Sequence, residues 1–280
     1  MKSFAKKIKQ VDPQKYDKEY FESVYSIYDF SQKIDIEDKE DFCWSISELA
    51  KLTKEDTIID FGCGVGHLSF YLYLKYGCKI IGTDYAKDAI FLSNKNKKNF
   101  LKAHNITEDK IKFLHSDNYN LPTFKNIKVV YLQDVIEHLY DEEIDMLLTK
   151  FKTWNDKKIY IAIRTDNNLY IRYVRPLIDL FSVITKKGML KDLKERLTWE
   201  EERHINLMTV NQVKRKLLKQ GFVTEKVEYA TLNYEKVKAQ LRKLGEIKLL
   251  LLIIYVFAKL LFFLRPSFYV LAKYDKKLKI

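Results

Sequence analysis

Residues 58–66 read Ile-Ile-Asp-Phe-Gly-Cys-Gly-Val-Gly, a carboxylate followed by glycines at every second position. Glycines between an apolar strand-like run and the helical pattern that starts at Leu68 leave backbone amides bare, so a ligand can approach the main chain. The spacing is not the Gly-x-Gly-x-x-Gly of dinucleotide sites, because position 67 is His. Asp60 adds a negative charge that can hold a cationic amine, which a pyrophosphate lacks. Gly62, Gly64, Gly66 and Asp60 together suit a zwitterionic, amino-acid-like ligand end.

A second acid, Asp84, ends Lys79-Ile80-Ile81-Gly82-Thr83-Asp84, about 20 residues beyond the loop. It can accept from both hydroxyls of a ribose and would repel a 2′-phosphate. The alternative is a helix N-cap, since 86–93 has a helical pattern. Asp117 follows a third short strand in a turn-rich Asp-Asn-Tyr-Asn run, where a plain turn role is the alternative. At 129–139, Val-Val-Tyr-Leu-Gln-Asp-Val-Ile-Glu-His-Leu puts polar groups at the carboxyl edge of a strand, where open α/β sheets bind ligands.

In this order and spacing the segments resemble class I S-adenosylmethionine (SAM)-dependent methyltransferases, from about residue 20 to 229 and again at 267–274. Asp60-x-Gly62-x-Gly64-x-Gly66 looks like their first motif. Asp134-Val-Ile-Glu-His-Leu139 looks like the post-strand motif of small-molecule and lipid-quinone O-methyltransferases. The resemblance implies SAM as cofactor. Its amino-acid tail would lie at Asp60 and the glycines, its ribose at Asp84 with Tyr85 beside it, its adenine at Asp117 and the Asn118 amide, and its methionine half at Gln133 and Asp134. Glu137 and His138 would border the acceptor. His204, in His-x-Asn-Leu-x-Thr209, resembles a family segment that precedes the last crossover helix. His138 and His204 are candidate general bases, since imidazole titrates near neutral pH. A locally bonded or purely structural histidine is the alternative for each. No metal is implied, because the carboxylates are committed to SAM.

The elements that must position these residues alternate. Strands are expected at 57–61, 79–83, 110–114, 127–132 and 158–163, with helices at 66–76, 86–104 and 141–153, the last opening on three acids as a helix dipole favours. Thr209 caps a further helix at 210–220, followed by strands at 222–230 and 267–274. The fold class expected is α/β, a doubly wound seven-stranded mixed sheet, Rossmann-like, with helical insertions. The expected organisation is a tail and aromatic cap helix (17–28) within 1–40, a core at 41–232 opening with a helix at 41–52 and carrying a cap insertion at 165–203, an apolar insertion at 233–266, and a final strand with a basic tail at 267–280.

The 280 residues suffice for a full core. Cys43, Cys63 and Cys78 form no Cys-x-x-Cys pair and suggest neither a disulfide framework nor a sequence-local zinc site. The basic residues 1–9 lack the apolar run of a secretory signal. Together these features predict a cytoplasmic protein. The net charge of +12 is lopsided: residues 201–280 hold 17 Lys and Arg against 7 Asp and Glu, a balance of +10 that leaves +2 for the rest.

Within that basic third, 249–264 is apolar except for Lys259, and Arg242, Lys243, Lys248 and Arg265 flank it. Sixteen helical residues reach about 24 Å, less than a hydrocarbon core of about 30 Å. A return strand at 267–274 needs both ends of the excursion on one side. The segment is therefore expected to lie in a membrane surface, with internal packing or a second subunit as alternatives. The expected reaction is methyl transfer to a small-molecule, lipid or lipid-linked acceptor, at oxygen. A nucleic-acid methyltransferase and a non-catalytic SAM-binding protein stay open. The first has no RNA-binding motif and no Asn-Pro-Pro-Tyr type motif in its favour, so no nucleic-acid partner is expected. The sequence sets no oligomeric state.

Overall fold

Seven strands form one mixed sheet in the computed structural model, which describes residues 11–25, 29–34, 48–116, 121–177, 179, 197–198, 203–230 and 261–276. In chain order they are β1 (Thr57–Phe61), β2 (Lys79–Asp84), β3 (Ile111–His115), β4 (Ile127–Gln133), β5 (Lys158–Asp166), β6 (Val223–Tyr229) and β7 (Ser267–Asp275). The spatial order is β3-β2-β1-β4-β5-β7-β6. Pairings from β3 through β5 are parallel, and β7 runs antiparallel to both β5 and β6. The expected seven-stranded, doubly wound sheet is thus the observed one.

Its two faces follow from strand periodicity. Ile58 and Ile59 are adjacent and both fully buried. Ile58 packs with Leu68, Phe70, Ile80 and Phe100 on one side; Ile59 packs with Val130, Phe151, Ile161 and Leu217 on the other. Helices α2 (His67–Tyr76) and α3 (Lys87–Ala103) supply the first layer, and α4 (Asp141–Phe151) and α5 (Val210–Lys219) the second. A capping box joins Thr209 and Gln212 at the start of α5, as the expected cap requires.

The N-terminal helix α1 (Lys18–Tyr25) sits within the expected 17–28, of which 26–28 lie outside the described residues. The expected helix 41–52 is not continuous. Residues 48–50 form a single 3-10 turn, Lys51 takes a left-handed φ of 50°, and 41–47 lie outside the description. β5 runs to Asp166, three residues beyond the expected end, because every residue of the antiparallel partner from Ser267 to Asp275 pairs with it. Most of 177–184, Trp199, and all of 249–264 before Leu261 lie outside the described residues.

The strand order reverses between β1 and β4, and a crevice forms at such a switch point. The glycine loop after β1 is set there by close packing. A Cβ on Gly82 of β2 would stand 2.5 Å from Phe113 Cδ1, and one on Gly66 would stand 2.7 Å from Phe113 Cζ. The Phe113 ring thus fills the space that both glycines leave open. Gly82 has no left-handed φ, so Gly82→Ala is a purely steric change. We expect a loss of about 1–3 kcal/mol in urea-unfolding stability, typical of overpacking, together with weakened ligand binding at the Gly66 loop; unchanged stability would show that Phe113 moves aside without cost.

Candidate functional site

Four backbone amides converge on the end of β2. Gly62 N and Cys63 N donate to the Thr83 carbonyl at 2.8 and 3.0 Å. Gly64 N donates to Asp84 Oδ2 at 2.9 Å, and Ala86 N donates to Oδ1 at 2.9 Å. Gly62, Gly64 and Gly66 take φ of 71°, 52° and 89°, which only glycine adopts without strain. The loop is therefore strapped to β2 while its outer face stays open. A Cβ on Gly62 would strike Val135 Cγ2 at 2.6 Å, whereas one on Gly64 would point at the Tyr25 hydroxyl, 3.4 Å away, and Phe21. Gly62 and Gly66 serve packing; Gly64 faces the cavity.

That cavity lies between the ends of β1, β2 and β4. Gly62, Gly64, Thr83, Asp84, Tyr85, Ser116, Asp134, Val135, His138 and Leu139 form its floor and walls, and Tyr16, Tyr20, Phe21 and Tyr25 cover it from the N-terminal segment. Two helices hold this cover in place: Lys18 N of α1 donates to Asp88 Oδ2 of α3 at 3.0 Å.

Ala86, not Asp84, is the N-cap of α3, and Asp84 accepts the Ala86 amide just ahead of that helix. The Asp84 oxygens accept from the Ala86 and Gly64 amides, and the same carboxylate lines the cavity. Burial raises its pKa to about 6, against the pull of the amides from Ala86 and Gly64. Asp60 is placed differently from the expectation that it meets the ligand. It is buried behind the loop, takes the Ser69 hydroxyl of α2 at 2.6 Å, and is not among the cavity's lining residues. Burial raises its pKa to about 7, with the Ser69 bond opposing and the Asp84 charge adding. Ser69 carried no signal in the sequence, since its role needs α2 to fold back over β1.

At the end of β4, Asp134 holds a left-handed φ of 55° and is ion-paired to Arg164 Nη1 of β5. The register aligns Gln133 with Arg164, which brings that guanidinium to Asp134. Gln133 Oε1 is buried with no hydrogen-bond partner among the described residues. Glu137 is fully buried, burial with the neighbouring Asp134 and Asp166 charges raises its pKa well above the usual range, and it accepts from Thr165 Oγ1 at 2.9 Å.

His138 and His204 come together, their ring centroids 4.9 Å apart. His138 lines the cavity; His204 does not, and its Nδ1 stands 3.9 Å from Asp166 Oδ2. His138 Nδ1 lies 3.0 Å from the Arg203 carbonyl oxygen and 3.1 Å from the Tyr16 hydroxyl. A carbonyl only accepts, so Nδ1 carries the proton and the lone pair is on Nε2. Burial lowers the His138 pKa, keeping the ring neutral at pH 7. Asp117 and Asn118 lie outside the described residues, though Ser116 beside them lines the cavity. Among the described residues no group of three or more His, Cys, Asp or Glu converges as metal ligands would.

These features fit the cofactor implied by the motifs. Two desolvated carboxylates lie at or behind a cavity that no Lys or Arg among the described residues lines, so a cationic ligand is favoured. Aromatic faces at Tyr16, Tyr20, Phe21 and Tyr25 suit a cationic centre. Gly64 leaves the space that a side chain would fill.

The comparisons with known proteins agree. A family model described as a methyltransferase domain matches residues 35–227. Sphingolipid C9-methyltransferase 1 of Gibberella zeae is 24% identical over 127 residues, which are 45% of this chain and 22% of that protein. A SAM-dependent methyltransferase from Methanosarcina mazei superposes with a TM-score of 0.55 at 14% identity, over 83% of this chain and 98% of that one. Phosphoethanolamine N-methyltransferase 2 of Haemonchus contortus, solved with SAM, gives 0.52 at 13% identity, over 83% and 53%. Geranyl diphosphate C-methyltransferase of Streptomyces coelicolor, solved with S-adenosyl-L-homocysteine, gives 0.50 at 13%, over 83% and 78%. At these identities the structural likeness is one of fold. The chain spans 22% of the length of its curated relative and 53% of the Haemonchus enzyme.

The raised pKa of Asp84 sets a pH dependence with a definite sign. The ligand's hydroxyls need the ionised carboxylate, so a proton competes with the ligand below about pH 6. Without ligand the ionised form is the costly one, and the folded chain loses stability as pH rises from about 4, the free carboxylate value, towards 6. We expect SAM affinity, measured by calorimetry, to fall about tenfold from pH 7.5 to pH 5. In Asp84→Asn the affinity should be lower and should fall less steeply, with the weaker influence of Asp60, whose pKa is raised to about 7, remaining. An equally steep fall in that variant would place the titrating group elsewhere.

Proposed function

The chain belongs to the class I SAM-dependent methyltransferase family, and on that premise we propose that it transfers a methyl group from SAM to a small-molecule or lipid-like acceptor, at an oxygen, with His138 as the general base. The observation that carries the reading is the state of His138: neutral, proton on Nδ1, basic nitrogen Nε2, at the wall of the cavity that Asp84 also lines. SAM supplies a methyl group already activated by its sulfonium charge. The chain's own work is to align the acceptor, exclude water and remove one proton.

Each part has its residues. The strapped glycine loop and Asp84 hold the amino-acid tail and the ribose, with the charge of Asp60 acting from behind the loop. Tyr85 stands beside the ribose, and Ser116, which precedes Asp117 in the chain, marks the adenine end. Gln133 and Asp134 face the methionine half, and Arg164 holds the Asp134 carboxylate still. The aromatic cap shields the cavity from water. His138 Nε2 takes the acceptor's proton. His204 is the second candidate, held near Asp166 and one ring away from the cavity.

The acceptor class draws support from relatives whose printed names are a sphingolipid and a geranyl diphosphate C-methyltransferase. The choice of oxygen rests on the neutral histidine. Membrane-surface contact through 249–264 and a place on the cytoplasmic membrane face belong to the same reading. Phe262 and Phe263, at the described end of that run, are 51% and 40% exposed. Among the described residues no helix is long and apolar enough to cross a membrane.

Transfer of labelled methyl from SAM into fractionated lipid and small-molecule extracts tests the activity. His138→Ala should lower transfer by about 10²–10⁴-fold with SAM affinity retained. A near-normal rate in that variant would remove His138 from the chemistry. No methyl transfer into any fraction, with SAM bound, would favour a non-catalytic SAM-binding protein.

The surface reading has its own test. Purified protein should float with anionic liposomes, and floatation should weaken with salt, since each nearby cation adds about 1 kcal/mol at an anionic surface. Phe262→Ser with Phe263→Ser should reduce floatation while SAM binding stays intact. Wild-type protein that ignores liposomes would point to internal packing or a second subunit.

A further inference from the structure

Arg203 belongs to none of the cofactor-facing motifs, yet three parts of the site meet on it. Its carbonyl oxygen receives His138 Nδ1 at 3.0 Å. Its Nη2 donates to the Lys15 carbonyl at 3.3 Å. Its guanidinium carbon stands 5.6 Å from the centroid of the Tyr20 ring. Lys15 and Tyr20 are both in the N-terminal cap, and Tyr16 between them brings its hydroxyl to within 3.1 Å of the same His138 nitrogen. The contacts close a circuit from cap to Tyr16, to His138, to Arg203, and back to the cap.

A planar guanidinium suits this position. It can stack on a ring and donate in its plane at once, which an ammonium cannot. We propose that Arg203 is a positioning residue that couples the seating of the N-terminal cap over the cofactor cavity to the orientation of the His138 ring. With the cap seated, the Arg203 carbonyl and the Tyr16 hydroxyl fix one nitrogen of His138 and present the other. Without the guanidinium, Lys15 and Tyr20 lose their hold on segment 203–209, and both partners of Nδ1 become mobile.

Electrostatics point the same way. After burial, the charges that act on His138 are those of Asp134, which raises its pKa, and Arg203, which lowers it. The Tyr16 hydroxyl and the His204 ring are its other titratable neighbours. Arg203 is also the largest cause that lowers the Tyr20 pKa, which burial raises to about 12. The guanidinium therefore sits where it is felt on both sides of the circuit.

The inference rests on the reading of His138 as a base, so its test uses readouts that need no acceptor. The full chain is titrated with S-adenosylhomocysteine by calorimetry, and the histidine ring signals are followed by NMR against pH, with His138→Gln assigning the resonance. In Arg203→Ala we expect about tenfold weaker S-adenosylhomocysteine binding and a displaced His138 midpoint, because the carbonyl bond that raises it loosens while a repelling charge and part of the burial are lost. Arg203→Lys keeps the charge but not the fork and the stack, so binding should weaken with the midpoint near wild type. If both variants bind as wild type and leave the His138 midpoint in place, the proposal is overturned, whatever happens to the melting temperature. If Arg203→Ala does not fold, unweakened binding in Arg203→Lys overturns it alone. Should His138→Ala keep full methyl transfer while Arg203→Ala still shifts the midpoint, the base reading fails and the coupling stands.

Discussion

The site depends on one constraint, the strapping of the β1 loop to the end of β2. The Thr83 carbonyl and the Asp84 carboxylate receive the amides of Gly62, Cys63 and Gly64, so the loop's shape is set by its neighbour strand as much as by its own glycines. Parallel pairing of β1 with β2, Phe61 beside Thr83, brings these groups into reach. Everything else at the cavity is arranged on that strap. Asp84 holds the loop and lines the cavity with one carboxylate. The three loop glycines divide the remaining work: two allow Val135 and Phe113 to close against the backbone, and Gly64 leaves the opening.

Charge follows from the same strap. Holding the loop against β2 buries Asp60 and Asp84 close together, and burial makes both reluctant to ionise. Among the described residues no Lys or Arg lines the cavity, so an incoming positive centre relieves a cost that the folded chain carries without it. On the opposite wall the balance differs. Asp134 is ion-paired to Arg164, burial lowers the His138 pKa, and burial raises that of Glu137 behind them. The wall after β4 therefore carries less uncompensated charge than the wall after β2.

Much of this was legible in sequence because it is local. The strand bounds fell close to expectation, since alternating and continuous apolar runs end at glycine, asparagine or aspartate. The strand-loop-helix at 57–76 and the Thr209 cap are likewise written in neighbouring residues. What was not legible depends on chain reversals. Ser69 meets Asp60 only after α2 folds back, Arg164 meets Asp134 only through the β4–β5 register, and Arg203 meets His138 across 65 residues. Asp60 shows the cost of reading a motif residue without its environment: its type fits an amine, but its side chain turns into the protein. The helix expected over 41–52 erred for the opposite reason. An apolar pattern suggested a period, while Ala50 is buried by the turn at 48–50 and Lys51 breaks the run.

The central claim is that the strapped loop forms a SAM site. Calorimetric titration of the purified chain with SAM and, separately, with NAD at pH 7.5 tests it most directly, with Gly64→Val as the paired variant. The account predicts that SAM binds, NAD does not, and Gly64→Val loses SAM binding because a side chain there meets Tyr25 and Phe21 at a left-handed φ of 52°. Preference for NAD, or SAM bound equally well by Gly64→Val, would contradict it.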